Sequence, residues 1–239
     1  MWRLFAHDLD LSEAKKQRFA SLHDCFVREL RAGARTIDQR AGIVVSPCDA
    51  VVGAYGQIRG TQVFQAKGFP YDLEELLPDE DAVECFRDGV FVTLRLKSSM
   101  YHRFHAPVDC AVRRVVYFSG DTWNVNPIAL KRIEKLFCKN ERAFVELHQD
   151  DTDRHLAVVP VAAILVASMR FHCLSYPLNL GYRGANELTC EADYRRGDEM
   201  GYFEHGSTFL VFASRGYDIV RGVQSDSPIR VGQPLLKAV

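Results

Sequence analysis

The chain lacks most of the features that would assign it at a glance. It lacks a dominant charge: 30 Lys and Arg stand against 31 Asp and Glu in 239 residues, a formal net charge of −1. No global positive field therefore favours nucleic acid, and no nucleic-acid partner is expected. It lacks cysteine pairing: the seven cysteines are odd in number, and no two form a C-x-x-C pair. That speaks against a disulfide framework or a structural zinc and for a reducing compartment. The opening MWRLFAHDLDLSEAKK has no long apolar run, so no secretory signal is expected. The most apolar stretch, Leu156 to Ala167, is too short to cross a bilayer and contains Pro160. It reads as a buried strand. Any meeting with a membrane would be from the surface. Repeats, low-complexity tracts and linkers are absent as well, so residues 1–239 read as a single domain, long enough to bury a sizeable core.

What is present is β-rich. Residues 12–31 read as an amphipathic helix, with Phe19, Leu22, Phe26 and Leu30 three or four apart and Ser12 as its cap. With Trp2 and Phe5 ahead of it, that helix could pack on the core or touch lipid. Beyond Gly33 come short strand-like runs at 43–45, 50–52, 91–96, 112–118, 143–147, 156–166 and 208–213. Short helices are predicted at 72–77 and 128–137. The fold class is α+β, mainly antiparallel β sheets forming a barrel-like core with a helical N-terminal flank.

Three segments carry candidate chemistry: Val45-Ser46-Pro47-Cys48-Asp49, Tyr101-His102-Arg103-Phe104-His105-Ala106-Pro107, and Gly201-Tyr202-Phe203-Glu204-His205-Gly206-Ser207-Thr208. Each has an ordinary reading: an Asx-turn at Asp49, a tight turn at Gly206-Ser207. The H-x-x-H spacing would suit a metal on a helical turn, but no acidic or cysteine ligand sits beside it at familiar spacing, and no metal is expected.

Together, in this order, the segments resemble the phosphatidylserine decarboxylase family, which combines a V-[SA]-P-x-D segment, a Y-H-R-x-H-x-P segment and a C-terminal G-S-T. LFCKNERAFVEL at 136–147 and RRGDEMGYFEHGSTFLVF at 195–212 add to the likeness. The resemblance implies that Ser207 becomes a covalent pyruvoyl cofactor. Asp49, His105 and Ser207 would form the self-cleaving triad, and His102 would act in decarboxylation. Cleavage at Gly206–Ser207 would leave chains 1–206 and 207–239, which stay associated.

The chemistry of these residue types suits such roles. A serine hydroxyl needs a base, and a carboxylate can fix that base's tautomer. Attack on the Gly206 carbonyl converts the amide to an ester. Loss of the α-proton of Ser207 then eliminates the upstream chain, and hydrolysis leaves pyruvoyl and ammonia. By the same resemblance the ketone forms a Schiff base with phosphatidylserine and accepts the electrons released with CO2, giving phosphatidylethanolamine. Arg103 and Tyr101 are the expected substrate contacts; Arg113, Arg114, Arg195 and Arg196 are cations that could meet a phosphate but read first as a solvated surface. The expected location is cytoplasmic, peripheral on the inner membrane, and a homodimer is compatible with it.

The chain departs from the family pattern at Met100 (usually Asp), Ala50 (usually Gly) and His205 (usually Leu). Two other readings compete: a serine hydrolase that uses the same triad on an external ester, and a lipid-binding homologue without activity.

Overall fold

The computed structural model describes residues 8–63, 70–150, 152–163, 168–204 and 207–239. Trp2, Phe5, His205 and Gly206, all named above, lie outside these residues, as does the end of the predicted 156–166 strand.

An eight-stranded antiparallel sheet forms the centre. Its strands are β2 (Ala50–Gln57), β5 (Val90–Leu96), β7 (Cys110–Phe118), β8 (Arg142–Leu147), β9 (Leu156–Ala162), β12 (Glu187–Tyr194), β14 (Ser207–Ala213) and β16 (Pro228–Ile229), in the spatial order β12-β7-β8-β9-β14-β5-β2-β16. The two innermost strands, β9 and β14, are buried at every residue. This explains their near-continuous apolar sequences, because a strand covered on both faces has no polar side to show. Pro160 stands within β9 opposite Phe209 of β14.

Side chains alternate between the two faces of this sheet. One face carries Phe91, Phe144, Val159, Val161, Leu210 and Phe212. It is covered by short helices at Leu73–Leu76, Glu80–Phe86, Pro127–Leu130 and Leu136–Lys139. The other face carries Leu94, Val145, Val158, Phe209 and Val211. Over it lies a four-stranded sheet of β6 (Arg103–His105), β10 (Ser168–Phe171), β11 (Leu178–Asn179) and β13 (Glu199–Phe203), ordered β11-β10-β13-β6. Phe104 is the bolt between these layers. It is fully buried and packs edge-on against Phe171 and Phe203 and at a tilt against Phe209, with centroids 5.4–5.5 Å away. A three-stranded sheet of β1 (Ile43–Val45), β17 (Pro234–Ala238) and β15 (Tyr217–Ile219), together with the pair β3 (Gln62–Val63) and β4 (Tyr71–Asp72), completes the described strands.

Two expectations change. The fold is α+β and mainly antiparallel as expected, but its β core is layered: among the described residues no closed barrel forms. The 12–31 helix shrinks to Leu22–Phe26, capped by Ser21. Flanking it, Ala14 and Leu30 form an antiparallel bridge. The cause is tertiary: Arg103 draws the Val27 and Arg28 carbonyls into its guanidinium, and Lys15 and Arg31 bond across the bridge. Those backbone groups are therefore unavailable to continue a helix. Leu22, on the expected apolar stripe, is exposed. Strands β10 to β13 and the helix at 80–86 were not anticipated.

Candidate active site

The 101–105 segment is extended rather than helical. In an extended chain residues three apart face opposite sides, so the two histidine rings diverge. His102 is fully buried and its ring packs at a tilt on Phe26 with centroids 3.9 Å apart. Its Nδ1 lies 2.9 Å from the Met100 carbonyl. A carbonyl can only accept, so Nδ1 holds the proton and Nε2 the lone pair. At position 100, where the family usually has Asp, the backbone oxygen thus orients the ring and the methionine side chain is not needed for it.

His105 is held in the same tautomer. Its Nδ1–H donates to the carbonyl of Gly197 at 2.8 Å, and its Nε2 accepts from the Tyr101 hydroxyl at 3.0 Å. Gly197 adopts φ +93, and a Cβ there would meet Ile37 at 2.8 Å, so glycine suits this acceptor position. Burial pulls the His105 pKa below its ordinary 6.5, opposed by the bond to Gly197 and by the charges of Glu199 and Asp49. Burial raises the Tyr101 pKa, so its phenol keeps its proton. His105 is therefore a neutral base at physiological pH.

Asp49 lies in the same locality, but its carboxylate is bound elsewhere. Arg35 grips it through Nε, at 2.9 Å, and through Nη2, while the Val231 N–H donates at 2.9 Å. The Arg35 guanidinium lies 6.0 Å from the Tyr101 ring centroid and also bonds Glu13. No hydrogen bond joins Asp49 to His105; the two communicate through charge. A cavity of about 200 Å³ opens onto this cluster, lined among others by Arg28, Arg35, Asp49, Met100, Tyr101 and Arg230. A larger groove of about 730 Å³, lined among others by Cys110, Arg113, Arg154 and Tyr194, contains none of the four expected catalytic residues.

Ser207 opens β14 between Leu96 of β5 and Ala162 of β9. It is fully buried, and its Oγ has no hydrogen-bond partner among the described residues. A buried hydroxyl without a partner is costly and marks a site for explanation. The Phe203 N–H donates to the His102 carbonyl at 3.0 Å, four residues before Ser207 in the chain, and Phe104 packs on Phe209, two residues after it. These contacts join the histidine segment to the strand that Ser207 begins.

Arg103 is spent on structure. Its Nη1 donates to Glu199 at 2.6 Å, its Nε and Nη2 to the Val27 carbonyl, and Nε also to Arg28. Three of the four other arginines are paired as well: Arg113 with Asp193, Arg114 with Asp79 and Glu187, and Arg196 with the carbonyls of Asp38 and Arg40, while Arg195 is exposed. Sequence reasoning missed Arg35, Gly197 and Glu199. An arginine 14 positions before Asp49 carries no local signal.

Together these elements are a buried serine at a strand head, two tautomer-fixed histidines and a clamped carboxylate. A model of the family described as phosphatidylserine decarboxylase matches residues 22–237. The chain is 34% identical over 246 residues to a "Phosphatidylserine decarboxylase proenzyme" of Vibrio parahaemolyticus serotype O3:K6, covering 98% of this chain and 85% of that protein. It is 32% identical over 256 residues to one from Shewanella amazonensis, covering 99% and 86%. A third, from Aliivibrio fischeri strain ES114, is 30% identical over 257 residues and covers 100% and 86%. The chain belongs to the phosphatidylserine decarboxylase family.

Proposed function

We propose that this chain decarboxylates phosphatidylserine to phosphatidylethanolamine, after cutting itself between Gly206 and Ser207 and turning Ser207 into a pyruvoyl group. One observation carries the reading: Ser207 is fully buried at the head of a central strand, with its Oγ unpartnered among the described residues. In an uncut chain, the carbonyl that this hydroxyl would attack belongs to its own neighbour in sequence, Gly206.

Position 207 suits a covalent pyruvoyl group. Strands β5 and β9 pair with β14 along its whole length, so a new terminus there stays registered after cleavage and the 207–239 chain stays associated. The group supplies an electrophilic carbonyl and an electron sink. The protein supplies the rest. His105, neutral with its lone pair on Nε2, takes the hydroxyl proton once Tyr101 yields its place. Asp49 supports the charge that develops on the imidazole from its clamped position. His102, buried with Nδ1 fixed by Met100, offers Nε2 for the proton exchanged at the substrate's α-carbon.

Among the described residues no helix is long and apolar enough to cross a membrane. Access to a lipid would be from the surface, on the cytoplasmic side of the inner membrane. The exposed side chains of Trp123, Ile128, Tyr176 and Leu180 support access from the surface.

Intact mass of purified wild-type and Ser207→Ala protein tests the proposal. The wild type should separate into 1–206 and a 207–239 fragment whose first residue has lost its amine. Ser207→Ala should stay whole and release no CO2 from phosphatidylserine. An active wild-type protein found as one uncut chain would overturn it.

A further inference from the structure

The register of the eight-stranded sheet fixes which turns share an end with Ser207. Ser207 begins β14 opposite Leu96, the last residue of β5, and Ala162, the last of β9. By the same antiparallel pairing β8 and β12 begin at that end and β7 finishes there. Asp49 leads into β2 at that end too, since Val51 pairs with Arg95. The chain therefore passes around the Ser207 end at 97–102, 119–141 and 180–186. The opposite end carries the turns at 87–89, 148–155, 195–198 and 214–216.

The two ends have different surfaces. Six large apolar side chains are exposed among the described residues: Leu22, Trp123, Ile128, Tyr176, Leu180 and Val239. Trp123, Ile128 and Leu180 stand in the connections at the Ser207 end. Tyr176 stacks on Tyr182 of the same 180–186 connection, with centroids 5.4 Å apart. Leu22 belongs to the short helix whose His23 lies 3.9 Å from Glu204, three residues before Ser207. Val239 alone is at the other end, where its N–H donates to the Gly216 carbonyl. Scattered apolar residues need no explanation, but five gathered at one end of a sheet mark a contact surface.

Charge divides the same way. At the Ser207 end the three connections expose Lys97, Lys131, Arg132, Lys139 and Arg183 against the acids Asp121 and Glu134. At the opposite end the turns expose Asp88, Asp150, Asp153 and Asp198 against Arg195 and Arg215. Lys131 and Arg132 follow Ile128 by one helical turn, so cations and an apolar side chain share one side of that segment.

Trp123 is anchored to the candidate active site. Its N–H donates to Asn140 Oδ1 at 3.0 Å, and its carbonyl accepts from Asn140 Nδ2 at 2.8 Å. The same Nδ2 donates at 2.9 Å to the carbonyl of Ala162, the residue opposite Ser207. Asn140 is fully buried, so one amide fixes the exposed indole relative to the head of β14. The indole N–H is met by Asp121 at 3.0 Å, and the ring itself is 48% exposed.

We infer that the Ser207 end of the sheet seats on an anionic lipid bilayer, with Trp123, Ile128, Tyr176 and Leu180 in the headgroup layer and Lys131 and Arg132 against the lipid phosphates. The inference deepens the proposed function and rests on its reading of the substrate as a membrane phospholipid. Indole and phenol rings favour the headgroup level because they join an apolar body to a polar tip. Cations beside them add attraction to anionic lipid. The acidic opposite end would be repelled by the same surface. A headgroup amine then meets the end where residue 207 lies.

The experiment uses the full-length Trp2→Phe chain, in which Trp123 is the one remaining tryptophan. Vesicles of phosphatidylcholine, with and without phosphatidylglycerol, carry brominated acyl chains that quench indole; phosphatidylglycerol has no amine and is not a substrate. Trp123 emission should be quenched by vesicles containing phosphatidylglycerol and barely by phosphatidylcholine alone. Lys131→Gln with Arg132→Gln should weaken that binding about 20-fold, roughly fivefold for each cation. Turnover of a soluble short-chain phosphatidylserine should stay unchanged in that variant. Arg195→Gln with Arg215→Gln, at the opposite end, should bind within about twofold of its parent, since surface charges there contribute little. Binding without Trp123 quenching would overturn the inference, as would equal weakening by the two double variants. A chain that turns over short-chain phosphatidylserine yet binds no vesicle would overturn it and leave the proposed function standing. So would a dimer in solution that parts on Leu180→Asp, because a second copy would then cover this end. A chain that is quenched as expected but never releases CO2 from phosphatidylserine would instead remove the proposed function. The quenching is read without the charge variants, so it decides the matter even if they fail to fold.

Discussion

Replacing Arg103 by methionine separates two uses of one guanidinium. Its place among the candidate catalytic residues expects it at the lipid phosphate. The structure gives it a different occupation, a tether between the N-terminal segment and β13, through Val27, Arg28 and Glu199. Its side chain is 13% exposed and that of Glu199 24%. Removing one partner of a buried pair costs about 3–5 kcal/mol, because the other charge is left uncompensated. His172 still reaches Glu199 at 2.7 Å, so the lower end, about 3 kcal/mol, is expected. For a domain of this size that is a fall in melting temperature of about 6–12 °C. Arg103→Lys should lose part of this, since one ammonium cannot serve three acceptors set in a fork. Thermal melts in a Ser207→Ala background keep the chain whole and the comparison clean. Activity should fall too, because the tether holds Phe26 on the His102 ring, but as a loss of kcat. An Arg103→Met protein that melts within about 1 °C of its parent, well inside the shift expected, and raises KM for phosphatidylserine tenfold would refute the tether and restore the phosphate contact.

Three further outcomes are expected. A Cβ at position 201 would sit 2.0 Å from the Arg170 carbonyl and 2.7 Å from the Phe104 ring, so Gly201→Ala should part β13 from β10 and cost at least about 1–3 kcal/mol by denaturant titration; an unchanged midpoint would contradict the packing. The His105 pKa is depressed by burial, so below its ordinary 6.5 the unfolded chain takes a proton that the folded one refuses. Stability should therefore fall as pH drops below 6.5, and His105→Gln should flatten that part of the profile. Trp123→Ser with Ile128→Asp should weaken flotation with anionic liposomes while leaving self-cleavage intact; undiminished flotation would move the lipid-facing surface elsewhere.

Much of this protein was legible before any coordinates. The family lay in three short segments, and the central strands in the alternating FVTLRL and in apolar runs such as LAVVPVA and FLVF, because a strand buried on both faces is near-continuously apolar. Local pattern also carried Ser207 to the head of its strand. Tertiary structure decided the rest. The N-terminal apolar stripe had helical spacing, yet the Arg103 guanidinium claimed the carbonyls a longer helix would need, and only Leu22–Phe26 coiled. The H-x-x-H pair suggested one shared face, but sheet pairing with β13 extended it and turned the rings apart. Asp49 found Arg35, and Arg103 found Glu199, through pairings between residues distant in sequence. Patterns in a chain record which faces are buried; the partners met on those faces are set by strand order, and strand order is settled only when the whole sheet closes.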